Sequence, residues 1–273
     1  MYKLFINNTI ILIMYSSCLN TIKKIYAKDK SIVNTIDSYN QTPFFVCCKF
    51  GNLEALKWIY EIAPHQISVY NKYNTTPIQE SCLNGFLELV QFIHSHDSEQ
   101  INVKNNNGYT CFLLTCNYGH LNIAKWIYSV SPDQMTILYD NITPFYAACI
   151  NGHLELVKWL YTINTEQMFI KCNNLTPFYA SCLKNKLDIV KYLYSIEPKQ
   201  FNSDFEIKNL IYTLSKYCLI DMIKFLYSIN PKYNDFSDIF KNIRKETQER
   251  INDVKFNDKK KFFDLLSWLD ELK

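Results

Sequence analysis

The chain has 273 residues, of which 48% are hydrophobic and 20% are charged, and its net charge is +3. This hydrophobic content is enough to bury a core and excludes gross disorder. The near balance of acidic and basic residues argues against binding to nucleic acid or to an anionic membrane surface. No apolar stretch has the length that a bilayer-spanning helix needs.

The N-terminal segment, MYKLFINNTIILIMYSSCL, has one lysine followed by an apolar run, as a signal peptide does. The run Ile10–Tyr15 is short, however, and no cleavage site of small residues follows it. It is also in register with the repeats that occupy the rest of the chain. We therefore interpret residues 1–39 as a degenerate first repeat and predict a cytoplasmic protein without a signal peptide.

Five regular repeats follow, and each opens with a threonine: Thr42, Thr76, Thr110, Thr143 and Thr176. Proline comes next in four of them, and Cys111 takes its place in the third. Nine residues after the threonine stands a residue that tolerates positive φ: Gly51, Gly85, Gly119, Gly152 and Asn185. Eleven residues after it is always a leucine, and sixteen residues after it an aromatic: Trp58, Phe92, Trp126, Trp159 and Tyr192. This common period indicates an array of structural repeats.

Each repeat is predicted to form two short helices. In the fourth repeat Thr143 is a capping residue, Pro144 suits the first helical position, and Gly152 can end the first helix in the left-handed conformation. The second helix begins at Leu154, and we interpret its leucine and aromatic positions as core. Neither helix exceeds about three turns, so the pair must be stabilised by neighbours on both sides.

Five of the ten cysteines occupy one position of the repeat: Cys48, Cys82, Cys116, Cys149 and Cys182. Successive copies would lie roughly 10 Å apart if each repeat adds one layer of helices, which is too far for a disulfide. We predict buried, reduced thiols and hence a reducing compartment. A redox role and metal binding are the alternatives.

The segments TPFFVCCKFGNLEALKWIY, TPIQESCLNGFLELVQFIH and TPFYAACINGHLELVKWLY resemble ankyrin repeats, whose pattern is Thr-Pro-Leu-His-x-Ala-Ala, then Gly-His-Leu and a Val-rich second helix. The Asn-rich units are also similar to the large ankyrin families of amoebal giant viruses. The resemblance implies an all-α solenoid of stacked antiparallel helix pairs with β-hairpin-like connecting loops, or fingers. It covers most of the chain, so we predict one array over residues 1–273.

We divide this array at the turn residue that lies two before each threonine. The regular repeats are then 40–73, 74–107, 108–140, 141–173 and 174–206. Residues 207–234 form a degenerate repeat without the Thr-Pro and Gly signals. Residues 235–273 form a modified C-terminal capping unit, with Trp268 at the aromatic position and about ten extra residues before its last helix.

Two features of the repeats have no assigned role in this pattern. The family histidine after Thr-Pro-Leu is replaced by Phe45, Gln79, Leu113, Tyr146 and Tyr179, so its hydrogen bond between neighbouring loops is in doubt and aromatic packing is the alternative. A glutamine recurs 24 residues after each threonine, at Gln66, Gln100, Gln134, Gln167 and Gln200. The turn residues, by contrast, are explained, because Asn40, Asn74, Gly108, Asn141 and Asn174 all tolerate the left-handed conformation.

The chain has no phosphate-binding loop, dinucleotide fingerprint, nucleophile elbow or zinc-protease motif. His120 and His153 share a repeat position and are interpreted as structural, and His94 and His96 as a polar helix end. The run Lys259–Lys261 precedes an amphipathic helix, and acidic residues lie on both sides of it. We predict no catalytic residues, no cofactor and no metal site.

The resemblance implies a non-catalytic scaffold that binds another protein through its concave face and finger tips. Carried over by position, the candidate partner-binding residues are the one before each threonine and the two that lie seven and eight after it: Gln41, Lys49, Phe50, Thr75, Leu83, Asn84, Tyr109, Asn117, Tyr118, Ile142, Ile150, Asn151, Leu175, Leu183 and Lys184. The expected partner is an unidentified protein, and the chain is expected to be a monomer. The alternatives are a targeting or adaptor subunit of an enzyme complex, for example one that recruits a ubiquitin ligase, and, less favoured, a nucleic-acid binder.

Overall fold

A computed structural model describes residues 19–136, 142–198, 204–229, 236–253 and 256–271. Three features named in the sequence analysis lie outside the described residues: the apolar run Ile10–Tyr15, the turn residue Asn141 and the last recurrent glutamine, Gln200. Contacts divide the chain into two compact units, Met1–Asn173 and Asn174–Lys273. This division falls at the predicted boundary between the fourth and fifth regular repeats.

The first unit alternates short first helices with slightly longer second helices. After a helix at Leu19–Lys28, the first helices are Pro43–Phe50, Pro77–Asn84, Cys111–Tyr118 and Pro144–Asn151. The second helices are Leu53–Ile62, Leu87–His96, Leu121–Val130 and Leu154–Ile163. Short 3₁₀ helices lie at Lys30–Asn34, Pro64–Ser68, Ser98–Asn102, Pro132–Thr136 and Thr165–Phe169. The sequence pattern did not predict these 3₁₀ turns, which begin each connecting segment.

The second unit continues the helical pattern with longer elements. Its helices are Pro177–Leu183, Leu187–Ile196, Asp204–Lys216, Ile220–Ser228, Ser237–Asp253 and Phe256–Glu271. The run Lys259–Lys261 lies inside the last helix and not before it, as the sequence analysis had placed it. All-α architecture, predicted from the repeat pattern, is confirmed.

Both ends of the first helices form as the sequence predicts. Each threonine side chain accepts a hydrogen bond from the backbone N–H three residues on, as Thr143 does from Tyr146 at 2.9 Å. The residue nine after the threonine has positive φ in every regular repeat, from 56° at Asn185 to 87° at Gly152. In the degenerate repeat Cys218 adopts φ 52°, so the left-handed helix end persists there without glycine.

In the first three regular repeats the glycine position also needs a residue without a Cβ, because a ring of the next repeat packs on it. A Cβ on Gly85 would lie 2.6 Å from the His120 ring, and one on Gly119 would lie 2.3 Å from His153 Nδ1. The two rings are fixed by hydrogen bonds of their Nε2 atoms to the carbonyls of Leu83 (2.9 Å) and Asn117 (3.0 Å). These histidines therefore have a structural role between repeats.

The core of the first unit runs through the first helices, which contact one another along the array more extensively than the second helices do. The residue two after each threonine is fully buried: Phe44, Ile78, Phe112 and Phe145. The second helices contribute three buried residues each, for example Leu156, Val157 and Leu160. Each such side chain stabilises the fold by about 1.5–3 kcal/mol through its removal from water.

The predicted core assignment of the leucine and aromatic positions was wrong, because both are only half-buried in every regular repeat. Their helical angle places them beside the buried line of the second helix and not on it. The aromatic side chain instead makes an edge-to-face contact with a ring of the preceding repeat. That ring stands two residues after the position that corresponds to the aromatic itself. The pairs are Tyr26–Trp58, Tyr60–Phe92, His94–Trp126 and Tyr128–Trp159, with ring centroids 5.1–5.8 Å apart.

The same contact recurs inside the second unit. Tyr194 meets Phe225 edge to face at 5.9 Å, and Tyr227 meets Trp268 at 6.0 Å. Trp268 therefore packs as an aromatic residue of the repeat would. This contact is consistent with the proposal that residues 235–273 are a modified repeat.

The recurrent glutamine joins neighbouring repeats through buried hydrogen bonds. Gln100 Nε2 donates to the carbonyl of Ile67 at 2.8 Å, and Gln134 Nε2 donates to that of Ile101 at 2.9 Å. Gln66 bonds the carbonyl of Val33 in the same way. On the other side, the Oε1 atoms of Gln66 and Gln167 each accept a first-helix N–H of their own repeat at 3.2 Å. Gln66 thus satisfies two backbone groups in adjacent repeats, and so does Gln100, whose Oε1 accepts the N–H of Ile78 at 3.5 Å. Gln134 Oε1 has no hydrogen-bond partner among the described residues.

Replacing Gln100 with leucine should lower the free energy of unfolding by about 1–3 kcal/mol, because the buried carbonyl of Ile67 loses its donor. Urea denaturation measures this difference. The matched control is Gln91→Leu on the exposed side of a second helix, for which we expect a change within about 0.5 kcal/mol. Equal effects of the two substitutions would contradict a bridging role for Gln100.

Candidate partner-binding surface

The fingers are the segments between each 3₁₀ helix and the next capping threonine. In the first three fingers a side-chain oxygen near the start closes a tight turn. Asp37 Oδ1 accepts the N–H groups of Tyr39 and Gln41 at 2.8 Å each, and Asn71 Oδ1 accepts those of Tyr73 at 2.9 Å and Thr75 at 3.0 Å. Asn105 Oδ1 closes the third finger in the same way and accepts the N–H groups of Asn107 and Tyr109 at 3.0 Å each.

Neighbouring fingers are also joined side by side. The predicted left-handed turn residues have φ between 56° and 72° at Asn40, Asn74, Gly108 and Asn174. Asn40 Nδ2 donates to the carbonyl of Tyr70 at 2.7 Å, and Asn74 Nδ2 donates to that of Lys104 at 3.2 Å. The Lys72 N–H donates to the carbonyl of Tyr39 at 2.9 Å, and the Asn106 N–H to that of Tyr73 at 3.0 Å. These bonds preorganise the finger tips, which lowers the entropy that binding a partner would cost.

The structure leaves most candidate partner-binding residues accessible. Lys49, Tyr118, Asn151 and Lys184 are exposed, and Thr75 is buried. The other candidates are half-buried: Gln41, Phe50, Leu83, Asn84, Tyr109, Asn117, Ile142, Ile150, Leu175 and Leu183. Leu175, Leu183 and Lys184 belong to the second unit, and the remaining twelve to the first.

Some of the candidates have partners within the chain. Asn151 Nδ2 donates to Asn117 Oδ1 of the preceding repeat at 2.9 Å, and also to the carbonyl of Ala147 at 2.9 Å. Asn84 Nδ2 donates to the carbonyl of Glu80 at 2.8 Å. The asparagines on this surface are therefore held in place by the array itself.

At the position of the family histidine, Gln79 again links one repeat to the next. Gln79, which replaces the family histidine, completes a capping box with Thr76 and also donates to the carbonyls of Val103 (2.7 Å) and Tyr109 (3.1 Å) in the next finger. At the same position Phe45, Leu113 and Tyr146 are buried. The sequence analysis expected aromatic packing in place of the histidine's hydrogen bond. Apolar or aromatic side chains are buried at this position in three repeats, whereas Gln79 makes a hydrogen bond to the next finger.

A cluster of exposed side chains at the finger tips was missed by the sequence analysis. Lys72 Nζ lies 3.8 Å from the ring centroid of Tyr39 and 5.0 Å from that of Tyr73. The two tyrosines are 45% and 51% exposed, and their ring centroids are 6.4 Å apart. Both stand three residues before a capping threonine, which is the only signal that could have drawn attention to them.

Glu80 is the buried carboxyl of this surface. Only 9% of the residue is exposed, and burial raises the pKa of its carboxyl above the ordinary value. A hydrogen bond from Asn84 Nδ2 to Glu80 Oε1 (3.2 Å) and the charge of Lys49 oppose that shift without cancelling it. The charged form of Glu80 is therefore disfavoured in the folded protein.

Other reactive side chains show no sign of activation. Burial raises the pKa of the Cys48, Cys149 and Cys182 thiols, so these buried free cysteines are poor nucleophiles. Nowhere in the described ranges do three or more His, Cys, Asp or Glu side chains cluster as metal ligands would. Of the helices described, none combines the length and the apolar character needed to cross a bilayer.

A hollow of about 590 Å³ lies within the second unit. Its lining includes Lys224, Lys261, Asp221 and Asp264, so it does not select ligands of one charge. It also contains Cys218, and burial raises the pKa of that thiol even though Arg250 and Lys261 oppose the shift. The lining therefore does not indicate nucleophilic chemistry.

Substituting glutamine for Glu80 should stabilise the protein near pH 7 and have no such effect near pH 3. Because the folded-state pKa is raised, the carboxyl contributes stability only while protonated, and that contribution is lost as pH rises through the folded pKa. Glutamine keeps the oxygen that accepts from Asn84 and carries no charge. Urea unfolding at both pH values measures the difference, with exposed Glu61→Gln as control. A destabilised Glu80→Gln protein at pH 7 would show that Lys49 outweighs the cost of burial.

Comparison with known families identifies the repeats. The family model described as ankyrin repeats (3 copies) matches residues 44–136, 82–168, 112–209 and 145–236. A second model, ankyrin repeats (many copies), matches residues 10–59. A comparison with curated proteins returned no significant match. Ankyrin repeats generally mediate protein–protein interaction and are typically non-catalytic modules. With matches that extend from residue 10 to residue 236, the chain belongs to the ankyrin repeat family.

Proposed function

We propose that the protein is a non-catalytic scaffold that binds a partner protein through the surface formed by its fingers and first helices. The observation that carries this proposal is the difference in burial between the constant and the variable positions of the repeat. Positions that barely change between repeats include the cysteine, which is buried in all five regular repeats, and the capping threonine, which is buried in four and half-buried at Thr176. The fifteen candidate partner-binding positions, where the residue changes from repeat to repeat, are half-buried or exposed, with Thr75 as the exception. Variation on a rigid support favours a role in specific recognition.

Tyr118 is the best candidate for an anchor on this surface. It lies at the end of a first helix in the third repeat, and 48% of its surface is exposed. Tyrosine buries a large area at low entropic cost and is enriched among residues that dominate binding energy. The cross-bonded fingers that precede the first helices of the second and third repeats would hold the surrounding contacts in place.

The proposal also covers the oligomeric state and the cellular compartment. We propose that the chain acts as a monomer in a reducing, cytoplasmic compartment, because its repeated cysteines are free and buried. A targeting or adaptor subunit of an enzyme complex would use the same kind of surface. Identification of the bound partner distinguishes that role from a simple scaffold.

Alanine in place of Tyr118 should weaken binding of a partner isolated by affinity purification by roughly tenfold or more, because a central aromatic anchor is lost. The thermal midpoint should stay unchanged, since the side chain is half-exposed. Tyr217, 69% exposed and in the second unit, provides the matched control Tyr217→Ala. Calorimetric titration of both proteins compares the affinities. If Tyr118→Ala binds the partner as the wild type does, the assignment of this surface is wrong.

A further inference from the structure

Charge is distributed unevenly over the first unit between residues 37 and 136. On the fingers and first helices, the three exposed charged residues are all lysines: Lys49, Lys72 and Lys104. The two acidic residues there are not exposed, since Asp37 is half-buried with its Oδ1 engaged in a turn and Glu80 is buried. The binding surface is therefore positive despite the near balance of charge in the whole chain.

The second helices and 3₁₀ helices of the same range have the opposite character. Their acidic residues are Glu54, Glu61, Glu88, Glu99 and Asp133, and their lysines are Lys57 and Lys125. A further acidic residue, Asp97, joins a second helix to a 3₁₀ helix. A partner with negative charge is thus attracted to one surface and repelled from the other, which sets the orientation of its approach.

The cluster of Tyr39, Lys72 and Tyr73 adds a specific feature to this positive surface. The lysine ammonium lies close to both tyrosine rings, an arrangement that cation–π attraction stabilises. It holds a long, otherwise mobile side chain at the tips of two fingers that hydrogen bonds already join. A restrained ammonium next to two half-exposed phenols can pair with a carboxylate at low entropic cost.

We infer that the finger tips bind an acidic segment of the partner protein, with a carboxylate of that segment paired to Lys72 and a neighbouring one to Lys104. This inference rests on the proposed scaffold function and names the chemistry of the partner. A protein segment is favoured over nucleic acid because the surface offers three lysines and no arginine over three repeats. Nucleic-acid binding draws on many phosphate contacts, and the acidic second helices oppose a long polyanion.

The test is a selection of random short peptides, displayed on phage, against the immobilised full-length chain. The enriched peptides should contain an excess of Asp and Glu. A synthetic copy of an enriched peptide is then titrated by fluorescence polarisation. Its affinity should fall with added salt and should drop about tenfold or more for Lys72→Glu, because a like charge then faces the peptide.

Three variants make the result specific. Lys72→Arg keeps the charge and can stack on the rings, so its affinity should stay within about threefold of the wild type. Lys57→Glu makes the same change of charge on a second helix and should also stay within about threefold. Lys72→Gln removes the charge without reversing it, and its affinity should lie between those of wild type and Lys72→Glu. Thermal melts of all variants show whether each remains folded.

Several outcomes would overturn the inference. These are an enriched pool with no acidic excess, no enriched peptide at all, equal losses for Lys72→Glu and Lys57→Glu, or tighter binding of a single-stranded oligothymidylate than of the acidic peptide. Peptides of another composition that bind the wild type and are lost on Tyr118→Ala would overturn the acidic partner alone. The proposed scaffold function would then still stand.

Discussion

Each helix pair of the regular repeats must bury its apolar sides against its neighbours, because its helices are too short to be stable by themselves. First helices of eight residues and second helices of ten, as in Pro144–Asn151 and Leu154–Ile163, have few internal hydrogen bonds to offset the entropy of ordering. The stacking interface is also where backbone groups of the connecting segments become buried. Recurrent glutamines such as Gln66 and Gln100 provide hydrogen-bond partners for these buried groups. Their Nε2 atoms donate to the preceding repeat and their Oε1 atoms accept from their own.

This constraint explains which positions vary. Contacts across the interface restrict which residues can stand there. The His120 ring leaves no room for a side chain at Gly85, and Trp58 packs against Tyr26. The finger tips and the exposed side of the first helices make fewer such contacts, so their side chains can change without loss of the array. The positive charge of this surface and its aromatic residues arise at the positions that the interface leaves free.

Much of the fold could be predicted from the sequence because its signals are local. Capping threonines, glycine at helix ends and asparagine in turns each depend on a few consecutive residues, and the structure confirms them where they are described. The role of Gln100 could not be predicted, because its acceptor, Ile67, lies 33 residues earlier. The half-burial of Trp159 was missed because helical spacing alone does not distinguish a buried line from one adjacent to it.

The candidate site was less predictable than the fold. Position within the repeat predicted the candidate residues, yet it missed Tyr39, Lys72 and Tyr73, which take part in no core pattern. Nor does the pattern show that Asn117 and Asn151 bond each other, since that contact joins different repeats. Cys218 kept the left-handed helix end in a repeat whose glycine signal was absent, which shows that tertiary context can impose this conformation.

The central claim is that stability resides in the interfaces between repeats and not in the repeats themselves. Native-state hydrogen exchange tests it at the amides of Ile59, Ile93 and Ile127, which are buried at one position of consecutive second helices. If the interfaces dominate, opening one repeat exposes both neighbours, and the three amides should share one free energy of opening with one denaturant dependence. Three independent opening free energies, each with a small denaturant dependence, would contradict the claim.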